Sequence, residues 1–388
     1  MTETSPAVTG VKKKRTNPLM LLLVALIAAG AFGLGYYLAL VQQPLASNQQ
    51  MNSDLVSSTI GLDSGGALRL DESYRDGDGD LIADPPAAAE CIDPPKLTFS
   101  FVTEEPATYK DVFADLLVAL SKATGKPVEY AVYKSPAIEL AAMREGKLQV
   151  AGLNTGLVPA AVNLCGFVPV CALAEESGNH AYHMEIIVPA DSALQTVTDL
   201  KGHEITLTDP ASNSGFKVPL AVLVKENNLR PVIDFRIRYS GSHEQSIEGI
   251  EHKQYQAAAV ASDRLARAMA SGAIKKEDYR TIYRSSDFPT AGFGYAYNLK
   301  PELAAKIKDT LLNFEWKGTS MGKEFQASGQ SKFAAVDYKK DWEPVRKVDA
   351  EIRGVQNIRE LMDEARGAST QAGEEGTVEQ KVTTEPAQ

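Results

Sequence analysis

The spacing of apolar residues organises the middle of the chain, and it does so twice. KLTFSF (96–101) has the two-residue period of a strand, and DVFADLLVALSKAT after it places apolar residues three and four apart, as an amphipathic helix does. PVEYAVY, PAIELAAMREG and LQVAGL then read as strand, helix and strand. Farther on, EITLTD (204–209), GFKVPLAVLVKENN, DFRIRYS, HEQSIEGIEHK and YQAAAV repeat that order. Each series needs a parallel sheet with right-handed crossovers, so the pattern predicts two α/β lobes. HMEIIVPA (183–190) separates the series and YRTIYRSSDFPTAGFGYAYNL (279–299) follows the second, which predicts a crossing between lobes at both places. Residues 301–363 read as mostly helical and return to the first lobe. Two lobes joined by two crossing segments form a hinge, with a cleft that can close on a ligand.

Ahead of the lobes the pattern changes. Leu19 to Val41 is a run of 23 residues without a charge, preceded by Lys12, Lys13, Lys14 and Arg15. That predicts one membrane helix with a cytoplasmic N-terminus and everything after Val41 on the periplasmic, extracytoplasmic side of the inner membrane. Cleavage after Ala46 would need a small residue where Pro44 stands, and no cysteine near the end of the run offers a lipid site, so the run reads as an uncleaved anchor. Residues 42–95 lack sustained periodicity and are rich in Asp, Ser, Gly, Pro and Ala, a linker composition. Residues 364–388 read as a disordered tail. The resulting division is 1–18 basic N-terminus, 19–41 anchor, 42–95 linker, 96–183 first part of lobe 1, 184–289 lobe 2, 290–363 return to lobe 1, and tail.

Composition narrows the function. With 388 residues, 44% hydrophobic and 23% charged, the chain is long enough for two folded lobes. A formal charge of −10 excludes a general nucleic-acid binder, which needs a basic face. Cys91, Cys165 and Cys171 would sit in an oxidising space; CGFVPVC permits a small loop closed by Cys165 and Cys171 with Cys91 left over, or one or more of them are buried free thiols. In RDGDGDLIAD, Asp76, Asp78, Asp80 and Asp84 have the alternate spacing of a calcium loop, similar to the acidic repeats of extracellular proteins. Leu81 and Ala87 stand where an EF-hand has Gly and Glu, and the stretch reads first as solvated linker. HExxH, GxSxG, Walker and GxGxxG motifs are absent and the five His are scattered, so neither an enzyme nor a cofactor is expected.

In open α/β sheets ligands lie beyond the carboxyl ends of the strands. That nominates TEEPAT (103–108), KSP (134–136), NTG (154–156), DPASNSG (209–215), GSH (241–243) and ASD (261–263). Several are also helix starts: Thr108 with Asp111 and Ser242 with Gln245 approach capping boxes, Ser135 precedes a proline, and Ser214 precedes an apolar helix. Helix N-termini offer unpaired N–H groups, flanking hydroxyls add donors, and Gly215 would let the backbone approach closely. Such a loop suits a tetrahedral oxyanion. Glu104 and Glu105 sit awkwardly beside an anion and either face solvent or accept its proton.

DPASNSGFKVP, YSGSHEQSI, AAAVASD and the later RSSDFP resemble the phosphate/phosphite/phosphonate substrate-binding proteins of ABC importers, over roughly residues 96–350. The resemblance implies a two-lobed periplasmic binding protein fold of type II, and permease subunits as partners. It places Ser212, Asn213, Ser214 and Gly215 on the oxyanion loop, His243 and Tyr182 as ligand residues, and Asn154, Thr155 and Ser135 on lobe 1. Asp263 falls where aminophosphonate binders carry an acid. Asn213 stands where threonine is common, Pro136 replaces a tyrosine, and Ala291 falls where a second acid would hold an amine. The expected ligand is therefore phosphate, phosphite or a simple alkylphosphonate. An oxyanion sensor with a partner signalling chain is the alternative.

Overall fold

The computed structural model describes residues 68–102, 106–133 and 135–353. The anchor reading (19–41), the basic N-terminus, Glu104, Glu105 and the tail (364–388) lie outside the described residues. Among those described, no helix is long and apolar enough to cross a membrane.

Strands β1 (Leu97–Phe101), β2 (Val128–Tyr130), β3 (Val150–Leu153) and β4 (Phe167–Ala174) open the first lobe. The second contains β5 (Ala181–Pro189), β6 (Glu204–Leu207), β7 (Arg236–Tyr239), β8 (Ala258–Ala261) and β9 (Tyr279–Pro289), and the chain returns through β10 (Gly292–Ala296) and β11 (Lys332–Ala335). Sheet order is β11-β4-β10-β3-β1-β2 in one lobe and β7-β6-β8-β5-β9 in the other. The βαβ strands β1, β2 and β3 are parallel, as are β6, β7 and β8. The sheets are nevertheless mixed, which corrects the expectation of parallel sheets: β10 runs against β3 and β4, and β5 against β8 and β9. The reason is geometric, because a strand arriving from the hinge enters at the carboxyl edge of the parallel strands and must run the other way.

The two crossings are residues 175–180 and 290–291. Thr290 ties them together: its N–H donates to the His180 carbonyl at 2.9 Å and its hydroxyl to the Leu173 carbonyl at 2.6 Å.

Helices α1 (Ala114–Thr124), α2 (Pro136–Arg144) and α3 (Val158–Cys165) belong to lobe 1. Lobe 2 carries α4, built of Asn213–Lys217, Val218–Ala221 and Val222–Glu226 with π turns at both ends, then α5 (His243–Glu251) and α6 (Ser262–Ser271). After the return come α7 (Pro301–Leu312), α8 (Ser320–Phe325), α9 (Tyr338–Asp341) and α10 (Glu343–Arg353). Thr108 does not start α1: it lies in a separate 3₁₀ turn, Pro106–Tyr109, and α1 begins after Phe113 with no side-chain cap.

The CGFVPVC stretch is not a closed loop: Cys165 ends α3, Gly166 caps it, and FVPVC opens β4. Pro169 is accommodated opposite Gly294, beside a shift in register, and a Cβ at Gly294 would stand 1.9 Å from the Val168 carbonyl oxygen. Cys165 packs with Leu157 and Ala161, whereas Cys171 packs with Phe99, Phe113 and Phe293 in a different cluster; all three cysteines are free thiols. Residues 68–95, read from sequence as linker, run along lobe 1. The Asp71 N–H donates to the Asn163 carbonyl at 2.9 Å, the Tyr74 ring meets Tyr297 edge-on at 4.8 Å, and Ala83 is buried. Asp76, Asp78 and Asp80 lie close together within this segment, and carboxylates of the turn accept N–H groups of Gly79, Leu81 and Ile82.

One apolar cluster spans both lobes, joining Leu153 and Ala161 to Ile186 and Phe216. Trp342, Val345, Val348 and Ile352 belong to it, so α10 docks on α4 of lobe 2 although the strand before it completes the lobe 1 sheet.

Candidate functional site

The polar loop after β6 folds on its own hydrogen bonds. The Asp209 side chain accepts the Ala211 N–H at 2.8 Å and its carbonyl accepts the Ser212 N–H at 2.8 Å. Ser212 then stays extended and its Oγ accepts the Gly215 N–H at 3.0 Å, making Ser212 rather than Ser214 the N-cap of α4. Ser214 is thereby left to the cleft. Gly215 does not line it: an added Cβ would lie 1.9 Å from Thr208 Oγ1, so the glycine lets the helix close on the end of β6 instead of approaching a ligand.

The GSH turn is set by Gly241 at φ +92 and by Ser242, whose Oγ accepts the Gln245 N–H at 3.1 Å. His243 is consequently the first residue of α5, buried to 5% exposure. Its Nδ1 accepts the Ala261 N–H at 3.3 Å. Because a backbone N–H can only donate, the ring's donor is Nε2, which faces Ser212 Oγ and Ser214 Oγ at 3.4 Å each.

Lobe 1 and the hinge supply the opposite wall. Thr155 Oγ1 donates to the Pro289 carbonyl at 2.7 Å, and Trp342 Nε1 donates to the Thr155 carbonyl at 3.1 Å. Asn154 Oδ1 accepts the Leu157 N–H at 2.9 Å. A Cβ at Gly156 would fall 2.5 Å from the Ala211 carbonyl oxygen, so the two lobes meet backbone to backbone here. Beside that contact, and within lobe 2, Asn213 Nδ2 donates to Tyr182 Oη at 3.2 Å. Burial raises the Tyr182 pKa and keeps it a phenol, against the opposing hydrogen bonds of Thr155, Asn213 and Ser214.

These groups enclose a cavity of about 70 Å³ between the lobes. Asn154, Thr155, Tyr182, Ser212, Asn213, Ser214, His243 and Asp263 all line it, as does Ala291. Ser135 does not; its Oγ caps α2 by accepting the Ile138 N–H at 3.4 Å. The apolar part of the wall includes Phe101, Val102, Leu173, Ala261 and Phe325.

Sequence reasoning missed two charged cavity residues, Arg264 and Arg267, besides the apolar wall. They lie three apart on α6 and so share a face with each other, a spacing visible in SDRLAR once the helix is placed. Both guanidinium groups donate to Tyr109 Oη, at 3.2 and 3.4 Å; Arg264 also meets Glu244 at 3.3 Å and Arg267 pairs with Glu324. Tyr109 and Glu324 belong to lobe 1, so the arginines tie the lobes together across the cleft mouth while adding positive charge to its wall.

Such a cleft has known counterparts. The family described as ABC transporter, phosphonate, periplasmic substrate-binding protein matches residues 100–342, well over half of the chain. This chain belongs to that family. Its relatives include the phosphate-import protein PhnD of Mycolicibacterium smegmatis, 24% identical over 265 residues, covering 66% of this chain and 82% of the relative. Among solved structures, the binding component of an ABC phosphonate transporter from Pseudomonas aeruginosa is 21% identical, covers 74% of this chain and 100% of its own, and gives a TM-score of 0.57. PhnD1 from Prochlorococcus marinus, in complex with methylphosphonate, is 14% identical, covers 67% and 99%, and gives 0.56. These likenesses share the two-sheet periplasmic binding protein fold. Proteins of this family are binding components of ABC transporters, not enzymes, and act outside the cytoplasm.

Proposed function

We propose that this substrate-binding protein captures a small phosphorus oxyanion (phosphate, phosphite or a simple alkylphosphonate) in the interlobe cleft and delivers it to the permease of an ABC importer, tethered to the membrane by residues 19–41. The carrying observation is the convergence of Ser212, Ser214 and the Nε2–H of His243 on one cavity of about 70 Å³, a size suited to a ligand of few heavy atoms. Arg264 and Arg267 make that wall attractive to an anion, Asn154 and Thr155 complete it from the other lobe, and Tyr182 adds to it from β5 beside the hinge. The uncharged run 19–41 behind a basic cluster supports the tether. The Mycolicibacterium relative is named for phosphate import and the Prochlorococcus structure holds methylphosphonate, so both ligand types belong in the test.

Substrate choice turns on Ala291. It lines the cavity without a carboxylate, which leaves an aminophosphonate's ammonium group with Asp263 alone among the described cavity residues as an acidic partner. Calorimetry should therefore find phosphate, phosphite or methylphosphonate bound at least about tenfold more tightly than 2-aminoethylphosphonate, or ~1.4 kcal/mol. Ala291→Asp should weaken the simple anions by adding a like charge and shift the ratio toward the aminophosphonate. A wild-type preference for 2-aminoethylphosphonate, or a ratio unmoved by the substitution, contradicts this assignment.

A further inference from the structure

Arg267 belongs to lobe 2 through α6, yet it reaches across to lobe 1. Its guanidinium donates to Tyr109 Oη at 3.4 Å, pairs with the Glu324 carboxylate and stands 5.8 Å from the centre of the Phe325 ring. Arg264, three residues earlier on α6, donates to the same Tyr109 oxygen at 3.2 Å. The lobe 1 partners are held firmly: Tyr109 is 7% exposed and its ring packs with Phe101, Phe113 and Phe325, and the Glu324 side chain is 31% exposed. A guanidinium suits this junction, because its planar fork can serve a phenol oxygen and a carboxylate together.

Both arginines line the cavity, whereas Tyr109 and Glu324 do not. Lobe 1 thus holds two groups of the cavity wall from outside it. A ligand enclosed between the lobes leaves only when they part about the crossings at 175–180 and 290–291. Parting carries α6 away from Tyr109 and Glu324 and breaks these contacts together. Apparent affinity scales with the fraction of molecules in the binding-competent arrangement, so contacts made only while the lobes are together raise it without touching the ligand.

We propose that Glu324 and Tyr109 are positioning residues of the binding cleft: through Arg267 they clasp lobe 1 to lobe 2 at the mouth and set how slowly a bound anion leaves. The proposal rests on the oxyanion reading of the cleft. The expected sign is opposite to that of plain electrostatics. Removing the negative charge of Glu324 beside a cleft for anions would, by charge alone, strengthen binding, and it would release Arg267 to meet the ligand. A clasp requires the reverse: losing Glu324 opens the mouth more often, speeds release and weakens every anion by the same factor.

The test combines calorimetric affinities for phosphate, phosphite and methylphosphonate with the release rate of the tightest of them, radiolabelled and chased with the same anion unlabelled. The wild type is compared with Glu324→Gln, Tyr109→Phe, Arg267→Met and Arg267→Met/Glu324→Gln. A partly buried pair held in a network couples strongly enough that Glu324→Gln should speed release at least about fivefold, with the three affinities falling together. Tyr109→Phe keeps the ring packing, loses only the shared acceptor, and should speed release at least about twofold. In the Arg267→Met background Glu324→Gln should have no further effect, whereas damage to the fold unrelated to the clasp would add to it. Release from Glu324→Gln within about twofold of the wild type, tighter anion binding by that variant, or an undiminished Glu324→Gln effect in the Arg267→Met background overturns the proposal and spares the oxyanion reading. A wild type that binds none of the three anions overturns both.

Discussion

Lys217→Met should lower the unfolding free energy by about 3–5 kcal/mol, the usual cost of removing one partner from a buried ion pair. The Lys217 side chain is 1% exposed; its Nζ donates to Asp349 Oδ1 at 2.8 Å and to the Gly156 carbonyl at 2.7 Å. Three parts of the molecule meet at that ammonium: α4 of lobe 2, the lobe 1 loop that faces the 209–215 loop, and α10. Methionine fills comparable space and leaves the carboxylate of Asp349 buried beside an apolar chain. The loss reflects burying the Asp349 carboxylate without the Lys217 ammonium, not the net worth of the pair, so Lys217→Met/Asp349→Leu should recover most of it. Denaturant unfolding of the two single variants and the double variant measures this directly. A double variant as unstable as the sum of the singles refutes the account of the pair.

The second large effect depends on pH. Burial pushes the Glu139 carboxyl from its ordinary value of 4.5 up to about 7, against the opposing hydrogen bond donated by Ser100. The native state therefore holds a proton between those values that the unfolded chain has released. Its stabilising contribution is complete below pH 4.5 and is lost as pH rises through about 7. At about 1.4 kcal/mol for each tenfold in proton affinity, ionising the buried group costs about 3 kcal/mol. Glu139→Gln cannot ionise. The variant should match the wild type near pH 4 and exceed it by about 2–3 kcal/mol at pH 8. Urea unfolding at several pH values gives the difference; one that is constant with pH, or larger in acid, contradicts the assignment.

The sequence announced some of this and hid the rest for identifiable reasons. Elements with a clean period were legible: HEQSIEGIEHK matches a helix at His243–Glu251, and EITLTD contains the strand Glu204–Leu207. The cavity-lining loop after β6 was legible because small polar residues crowd a strand-to-helix junction. β4 was not, since FVPVCALA is a continuous apolar run interrupted by a proline, and only the glycine at 294 on a neighbouring strand shows how the proline is tolerated. The cap of α4 was placed two residues late. Its opening turn is a π turn, and the residue that meets Gly215 N–H is settled by the fold of Asp209 to Ser212. Arg264 and Arg267 acquire meaning only when Tyr109 and Glu324 are brought to them from more than fifty residues away in sequence. The same holds for Lys217, whose partners Gly156 and Asp349 come from either side of it in the chain.

The central claim is that hydroxyls and the imidazole of lobe 2 bind a phosphorus oxyanion in the cleft. Its most direct test is isothermal calorimetry of phosphate, phosphite and methylphosphonate with the wild type and His243→Ala. A donor hydrogen bond to a charged ligand carries about 1.5–3 kcal/mol, so the tightest of these ligands should bind His243→Ala about ten- to a hundredfold more weakly. Affinity within about twofold of the wild type, in a variant that still unfolds cooperatively, would place the ligand elsewhere and contradict the account.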